Sequence, residues 1–270
     1  MPELPEVETV RKVLDESLKN LTITDISIRY NPIVINNEEF YNNVCGKKII
    51  ELKRLGKYLI FILDSGAFIS HLRMEGKYFY LKKNTFDNKH IHVIFYLSNG
   101  YMLCYQDVRK FGRMEYKDIK DLYTTAPLVN VGVDPILSKK IEIDPIYDKI
   151  VNKVVPIKVS LLDQEIIAGL GNIYVDEVLF KAKINPNKKS SLITKDEVNR
   201  IIKYSKEILS KAIEYKGTTI KSYTSSLGVE GNYQQFLLVH TKEFCPICNA
   251  KLEKTKISGR STYYCNNCQR

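Results

Sequence analysis

The chain has 270 residues, of which 44% are hydrophobic, and it carries 41 Lys and Arg against 31 Asp and Glu. This apolar content is sufficient for a packed core and excludes an intrinsically disordered chain. The formal net charge of +10 favours a polyanionic partner, with nucleic acid or an anionic membrane surface first, although many basic proteins are merely soluble.

The amino terminus does not resemble a secretory signal, because it is acidic and lacks an apolar stretch. The apolar run YLIFIL has the length of a strand rather than of a membrane span. We therefore expect a cytosolic protein, in which the six cysteines do not form a disulfide framework.

The opening residues, MPELPEVETV, predict a well-capped helix start. Prolines at positions 2 and 5 suit an extension and a first helical turn, and acidic residues there favour the positive end of the helix dipole. Apolar residues then recur at helical spacing, at Val7, Val10, Leu14 and Leu18. A helix start does not explain why proline is residue 2.

Residues from about 22 to 115 have a strand pattern, with hairpins predicted near Gly56 and Lys57 and around Asn99 and Gly100. Short strands in succession indicate an antiparallel sandwich or barrel. From about residue 145 the pattern becomes helical, and the last long helix has a capping box at Thr194 and Glu197. The chain is therefore predicted to be α+β.

Two Cys-x-x-Cys pairs, separated by 16 residues, lie at the end of the chain. Thiolates at this spacing complete a tetrahedral zinc site with no open position, so one structural Zn²⁺ is predicted at Cys245, Cys248, Cys265 and Cys268. The isolated Cys45 and Cys104 are predicted to be core residues.

Two features have both a structural and a functional interpretation. In AGLGNIY, Gly169 and Gly171 leave the backbone open where Asn172 would cap a helix, which suits either a plain turn or a phosphate site. The basic chain and the zinc module favour the phosphate. Met74 in HLRMEGKY and Phe111 in YQDVRKFGR lie beside arginines and could wedge between bases, although the residues alone favour a place in the core.

Pro2 offers a nucleophile if Met1 is removed, because the new terminus is a secondary amine. An α-amino group titrates near pH 8, so an appreciable fraction is neutral and can form an iminium with an electrophilic sugar carbon. Glu3, the next residue, could serve as the general acid or base.

These motifs together resemble formamidopyrimidine-DNA glycosylase, the bacterial enzyme that excises oxidised purines. The resemblance spans essentially the whole chain and rests on PELPEVETV, RLGKYLIF, HLRM, SNG, VRKFGR, LLDQ, AGLGNIYVDEVLF, GTTIKSY and GRSTYYC in that order. The sister family, endonuclease VIII, usually has glycine where this chain has Leu4, which favours the purine-specific branch.

The resemblance implies a bifunctional glycosylase and abasic-site lyase acting on duplex DNA as a monomer in the bacterial cytoplasm, at the nucleoid. It implies a catalytic β-sandwich domain over 1–132, a linker over 133–150, a helical DNA-binding domain with a lesion-recognition loop over 151–236, and a zinc finger over 237–270. The implied catalytic residues are Pro2, Glu3, Lys57 and Arg260. The implied DNA contacts are Met74, His90, Arg109, Phe111, Lys153, Asn172 and Lys221.

The chain departs from the family pattern at Arg73, where glycine is usual, and at Val108 and His240. Arg73 bears on the backbone of its loop, since glycine alone readily adopts positive φ. None of the departures removes an implied catalytic group. Two rival functions remain at this stage, an oxidised-pyrimidine glycosylase and a non-catalytic protein that binds damaged DNA.

Overall fold

The computed structural model describes residues 1–82, 88–218 and 231–270. The chain divides into two compact units. The first contains Met1–Pro2, Glu6–Asn130 and Thr218–Gly231, and the second contains Glu3–Pro5, Val131–Gly217 and Asn232–Arg270. The finer division at 132, 150 and 236 stays a prediction. Among the described helices, none is long and apolar enough to cross a bilayer.

The described part of the first unit is built from strands with two helices. The helices are α1 (Leu4–Leu18, beginning within the second unit) and α2 (Asn37–Val44). The strands are β1 (Ile23–Ile28), β2 (Ile49–Leu55), β3 (Tyr58–Leu63), β4 (Ala67–His71), β5 (Lys77–Lys82), β6 (Ile91–Leu97), β7 (Tyr101–Gln106) and β8 (Arg113–Lys117).

These strands form two antiparallel four-stranded sheets, in the orders β1-β6-β7-β5 and β2-β3-β4-β8. Their facing side chains belong to one buried apolar cluster. Within it, Phe68 of one sheet stacks on Phe95 of the other, with ring centroids 5.3 Å apart. The first unit is therefore an antiparallel β-sandwich, as the strand pattern predicted.

Local sequence patterns account for several of these elements. The four apolar positions predicted for α1 are buried in the sandwich core, at Val7, Val10, Leu14 and Leu18. Both predicted hairpins form, and Gly56 (φ +55°) and Gly100 (φ +81°) supply the left-handed conformation that each turn requires. The turn at Gly56 places Lys57 directly before β3.

The described part of the second unit contains four α-helices and one β-hairpin. These are α3 (Ile143–Val151), α4 (Ile157–Leu161), α5 (Asn172–Ala182), α6 (Lys195–Glu214), β9 (Glu253–Ile257) and β10 (Arg260–Tyr264). The predicted capping box is present at the start of α6, where Thr194 and Glu197 bond each other's backbone N–H. After α6, the N–H of Gly217 (φ +81°) bonds the Ala212 carbonyl and ends the helix.

The helix α5 lies at the centre of the second unit. Nearly all of its side chains are buried, and it shares an apolar cluster with α3, α4 and α6. The antiparallel sandwich, the helices and the terminal hairpin with clustered cysteines confirm the predicted α+β fold.

Candidate active site and nucleic-acid interface

The carboxylate of Glu3 caps the amino end of α5. Its Oε2 accepts hydrogen bonds from the N–H groups of Gly171 (2.7 Å) and Tyr174 (3.3 Å), and its Oε1 accepts one from Ile173 (2.9 Å). The residue is only 2% exposed. These three N–H donors fix the position of the Glu3 carboxyl group at the amino end of α5, where the helix dipole favours negative charge.

The two glycines of AGLGNIY make room for this arrangement. A side chain at Gly169 (φ +98°) would overlap Leu4, and one at Gly171 would overlap the Glu3 carboxyl group. The predicted role of Asn172 as the helix cap is wrong, because Gly171 occupies the cap position and Asn172 is the first helical residue. The open backbone therefore receives the protein's own carboxylate, which occupies the amides that a phosphate would need.

The side chain of Asn172 is turned toward the terminal hairpin. Its Nδ2 donates a 2.9 Å hydrogen bond to the carbonyl of Ser261. Arg260 precedes this carbonyl and is exposed at the start of β10, directly after a two-residue turn at Ser258 (φ +47°) and Gly259 (φ +76°). The hairpin thus exposes Arg260 to solvent, next in the chain to the residue whose carbonyl Asn172 bonds. A phosphate contact by Asn172 stays a prediction.

A buried ion pair also contacts the β9–β10 hairpin. Lys158 on α4 and Asp176 on α5 are both 0% exposed, with Nζ and Oδ1 2.8 Å apart. Nζ also donates to the Ser261 carbonyl (3.0 Å) and to Thr262 Oγ1 (2.9 Å). Burial lowers the pKa of Lys158, and the Asp176 carboxylate opposes that shift. All three ammonium protons therefore have acceptors.

His240, one of the departures from the family pattern, belongs to this cluster. Its Nδ1 lies 2.9 Å from Asp176 Oδ2, and its ring packs edge-on against Tyr263. The neighbouring Glu177 accepts hydrogen bonds from the N–H groups of Leu238, Val239 and His240. Burial raises the pKa of Glu177, and those three bonds oppose the shift.

Sequence reasoning missed Lys158, Asp176 and Glu177. A signal was present, since two adjacent carboxylates stand within the apolar run IYVDEVLF. Charged groups on a fully buried helix need partners, and this requirement would have identified them as buried anchors.

Four predicted DNA contacts lie at one end of the sheet that contains β5, β6 and β7. Lys77 at the start of β5 pairs with Gln106 at the end of β7, and Ile91 at the start of β6 also pairs with Gln106. The loop before β5 carries Met74, the residue before β6 is His90, and the loop after β7 carries Arg109 and Phe111. The sheet therefore brings the loops that carry these four residues to the same end of its strands.

The loop after β7 is organised by Asp107, another residue that sequence reasoning missed. Its carboxylate, fully buried, accepts hydrogen bonds from the N–H groups of Arg109 (3.0 Å), Phe111 (2.9 Å) and Gly112 (2.8 Å). Phe111 is 49% exposed, and the Arg109 guanidinium lies 4.9 Å from the centre of its ring. The predicted core location is wrong for Phe111, which is held out toward solvent. Met74 is half-buried.

Arg73 adopts the conformation expected of the glycine that it replaces, with φ of +52°. Its N–H donates to Nδ1 of His71 at 2.9 Å. Burial, with contributions from the charges of Arg73 and Lys57, lowers the pKa of His71 to about 3. His71 is therefore neutral near pH 7, and Lys57, itself buried, lies close enough to influence it.

Three predicted site residues remain, namely Lys153, Pro2 and Lys221. Lys153 forms a 2.7 Å ion pair with Asp163, in which both side chains are partly exposed, so a DNA contact there would compete with this pair. Pro2 is buried. Lys221 lies outside the described residues. The roles of these residues stay predictions.

The four terminal cysteines form a cluster with the geometry of a zinc site. All four Sγ atoms lie within 4.8 Å of one another, and the pairs Cys245–Cys268 and Cys248–Cys265 are 3.8 and 3.5 Å apart. Four Zn–S bonds of about 2.3 Å in a tetrahedron place sulfurs about 3.8 Å apart. The donors therefore fit one structural Zn²⁺.

Comparisons with known families agree with this architecture over most of the chain. Residues 1–114 match the formamidopyrimidine-DNA glycosylase N-terminal domain, and residues 131–224 match the formamidopyrimidine-DNA glycosylase H2TH domain. Residues 242–270 match the zinc finger found in FPG and IleRS. That match and the four clustered thiols establish one structural zinc.

Whole-length relatives carry the same name. The chain is 43% identical over 277 residues to a formamidopyrimidine-DNA glycosylase of Mycoplasmopsis pulmonis, covering 100% of this chain and 98% of the relative. It is 44% identical over 276 residues, with the same coverage, to one of Oceanobacillus iheyensis.

Solved structures of Lactococcus lactis Fpg share the fold. One is a complex of the wild-type protein with DNA containing N7-benzyl-Fapy-dG, with a TM-score of 0.91, 37% identity and 100% coverage of both chains. Another is a complex with DNA containing an abasic site, with a TM-score of 0.91, 38% identity and 99% coverage of both chains. By its domain models, its relatives and its fold, the chain belongs to the formamidopyrimidine-DNA glycosylase family.

Proposed function

We propose that this protein is a bifunctional DNA glycosylase and abasic-site lyase of base excision repair, which removes oxidised purines from duplex DNA. The observation that carries the proposal is Pro2 joined directly to Glu3, whose carboxyl group is held by backbone N–H groups at the amino end of α5. Relatives that carry the glycosylase name along the full length of the chain, and neighbours bound to Fapy-dG or abasic DNA, support the substrate class.

Pro2 is the proposed nucleophile. Removal of Met1 leaves a secondary amine, whose neutral fraction attacks C1′ of the damaged nucleotide. The N–C1′ bond forms as the bond to the base breaks, and the proton of the attacking nitrogen passes to Glu3. The C1′–O4′ bond then breaks, O4′ takes up that proton from Glu3 and stays on the sugar as a hydroxyl, and the nitrogen lone pair forms the iminium. The departing base takes up a proton. Pro2 then remains joined to the sugar until water hydrolyses the iminium.

Glu3 is the proposed proton-transfer group for ring opening. The three N–H bonds to its carboxylate fix its position, so proton transfer does not require a mobile side chain to be captured. A positioned acid or base of this kind contributes about 10²- to 10⁴-fold in rate.

Strand cleavage follows from the iminium, which acidifies the proton on C2′. Loss of that proton expels the 3′ phosphate, and a second elimination expels the 5′ phosphate, so a gap with phosphates at both ends remains. We assign assistance of the first elimination to Lys57, which also contacts phosphate, and assistance of the second to Arg260.

The exposed loops supply the proposed grip on DNA. Arg109 would face the orphaned cytosine, and Met74 and Phe111 would fill the gap left by the extruded nucleotide. Asn172, His90 and Lys153 would contact the backbone, as would Lys221. The net charge of +10 supports an affinity that falls steeply with salt.

We further propose that the protein works as a monomer in the cytoplasm, at the nucleoid. All of the proposed catalytic groups come from one chain, and chromosomal DNA is the substrate. The division into a catalytic domain over 1–132, a linker over 133–150, a helical domain over 151–236 and a finger over 237–270 belongs to the same proposal.

Borohydride trapping tests the function directly. Untagged protein is mixed with a duplex carrying 8-oxoguanine opposite cytosine, and borohydride is added to reduce any iminium. The cross-linked residue is then identified by mass spectrometry. An adduct on Pro2 is expected, and a variant that retains Met1 should bind the duplex without forming it. Tight binding with neither adduct nor cleavage would leave only a damaged-DNA-binding role. Faster release of thymine glycol than of 8-oxoguanine would favour the pyrimidine branch.

A further inference from the structure

Lys57 stands in the tight turn between β2 and β3, directly after Gly56. Leu55 and Tyr58 are paired across the two strands, so only Gly56 and Lys57 form the turn. The peptide group that joins these two residues sets the direction in which the Lys57 side chain leaves the hairpin. A group that bonds the Gly56 carbonyl therefore also fixes the backbone from which the Lys57 side chain extends.

The side chain of Arg54 holds this carbonyl. Its Nη1 donates a 3.0 Å hydrogen bond to the Gly56 oxygen. Its Nε donates a 2.9 Å bond to Oε2 of Glu8 on α1. The Arg54 side chain is only 1% exposed, so both bonds are shielded from competing water. One planar guanidinium thus joins the turn to the helix.

The helix end of this link is also fixed. Glu8 accepts a second hydrogen bond, of 3.0 Å, from Nε of Arg11 to its Oε1. Arg11 donates in turn to the Leu52 carbonyl of β2 at 3.2 Å and lies 3.6 Å from Asp15, so its contacts are with β2 and α1 and not with the turn. The chain therefore offers two arginines on one carboxylate, of which Arg54 alone also bonds the Gly56–Lys57 peptide.

We propose that Arg54 is a positioning residue, which fixes Lys57 relative to α1 and hence to the Pro2 amine at the start of that helix. The inference rests on the proposed function, since it assigns Lys57 to elimination. Lysine cannot replace arginine here, because an ammonium group lacks the rigid fork that makes two bonds in fixed directions. A role through charge alone would tolerate that replacement, and a role through stability alone would change cleavage only as far as it changes the melting temperature.

The test compares Arg54→Lys with the matched control Arg11→Lys, in the full-length zinc-loaded protein without Met1. Thermal unfolding and affinity for an uncleavable abasic-analogue duplex show first that each variant folds and binds. Two rates are then measured in single turnover at a preformed abasic site, iminium formation by borohydride trapping and strand cleavage by gel electrophoresis. Borohydride trapping of the wild-type protein is measured first. If the wild type forms no adduct, the proposed function has failed, and the result does not bear on this inference.

Arg54→Lys is expected to slow strand cleavage about 10- to 100-fold, the size of effect that a displacement of about 1 Å produces. Its trapping yield should stay within about twofold of wild type, and Arg11→Lys should change cleavage less than about threefold. Arg54→Gln provides the same comparison if the lysine variant unfolds. Wild-type cleavage by Arg54→Lys, or an equal loss in both arginine variants that follows their melting temperatures, would overturn the assignment.

Discussion

The buried pair between Lys158 and Asp176 provides a stability prediction that follows directly from burial. In Lys158→Met, the apolar side chain cannot donate to Asp176, to the Ser261 carbonyl or to Thr262, all of which accept from Nζ in the native chain. Both members of the pair are 0% exposed, so water cannot replace the lost partner.

The expected cost is about 3–5 kcal/mol in the free energy of unfolding, the usual result of leaving one charge of a buried pair without its partner. His240 stays within 2.9 Å of Asp176 and compensates in part, which places the expected loss near the lower end of that range.

Urea unfolding at saturating zinc, followed by far-ultraviolet circular dichroism, measures this loss. The matched control is Lys181→Met, which removes the more exposed ion pair between Lys181 on α5, the helix of Asp176, and Glu207 on α6. This change should cost less than about 1 kcal/mol. A Lys158→Met protein within about 1 kcal/mol of wild type would refute the reasoning.

Three further predictions concern His71, Gly171 and the zinc cluster. His71, whose pKa falls from 6.5 to about 3 on burial, should make the folded state lose stability as the pH falls from 6.5 toward 3, because only the unfolded chain binds the proton there. The loss is at most about 5 kcal/mol, and His71→Gln should abolish this part of the pH dependence in acid titration of unfolding. Gly171→Ala should slow 8-oxoguanine release at least about tenfold in single turnover, because the new methyl group displaces the Glu3 carboxylate; unchanged release would show that the position of Glu3 is unimportant. Metal analysis should find one zinc per chain, and its removal by a chelator should lower the melting temperature and abolish DNA cleavage. Full cleavage by metal-free protein would contradict the last expectation.

The features that could be predicted from the sequence are those set by short-range spacing. The Cys-x-x-Cys pairs, the glycine turns of the hairpins and the capping box at Thr194 each place their groups within a few residues of one another. Such geometry follows from the local backbone, so the hairpins and the start of α6 appear in the structure as expected. The two cysteine pairs flank the short β9–β10 hairpin, which brings them together as one cluster.

The side-chain pattern left open whether a residue beside a strand end faces the core or solvent. Phe111 is a large apolar side chain, and its type alone favoured burial. The structure holds it outward because Asp107, four residues earlier, bonds the backbone N–H groups of the loop. Aspartate is common in loops, and the residues next to Asp107 in the sequence did not indicate this role.

Contacts between distant parts of the chain were decided by the tertiary structure alone. The amides after AGLG suited a phosphate by local geometry, but they bond Glu3, which lies 168 residues away from Gly171. Lys158 likewise bonds Thr262, 104 residues further along. The sequence by itself determined the family, the zinc ligands and the candidate nucleophile through residue type and local spacing. The tertiary structure decided which buried charges become partners, because that depends on which surfaces the packed elements bring together.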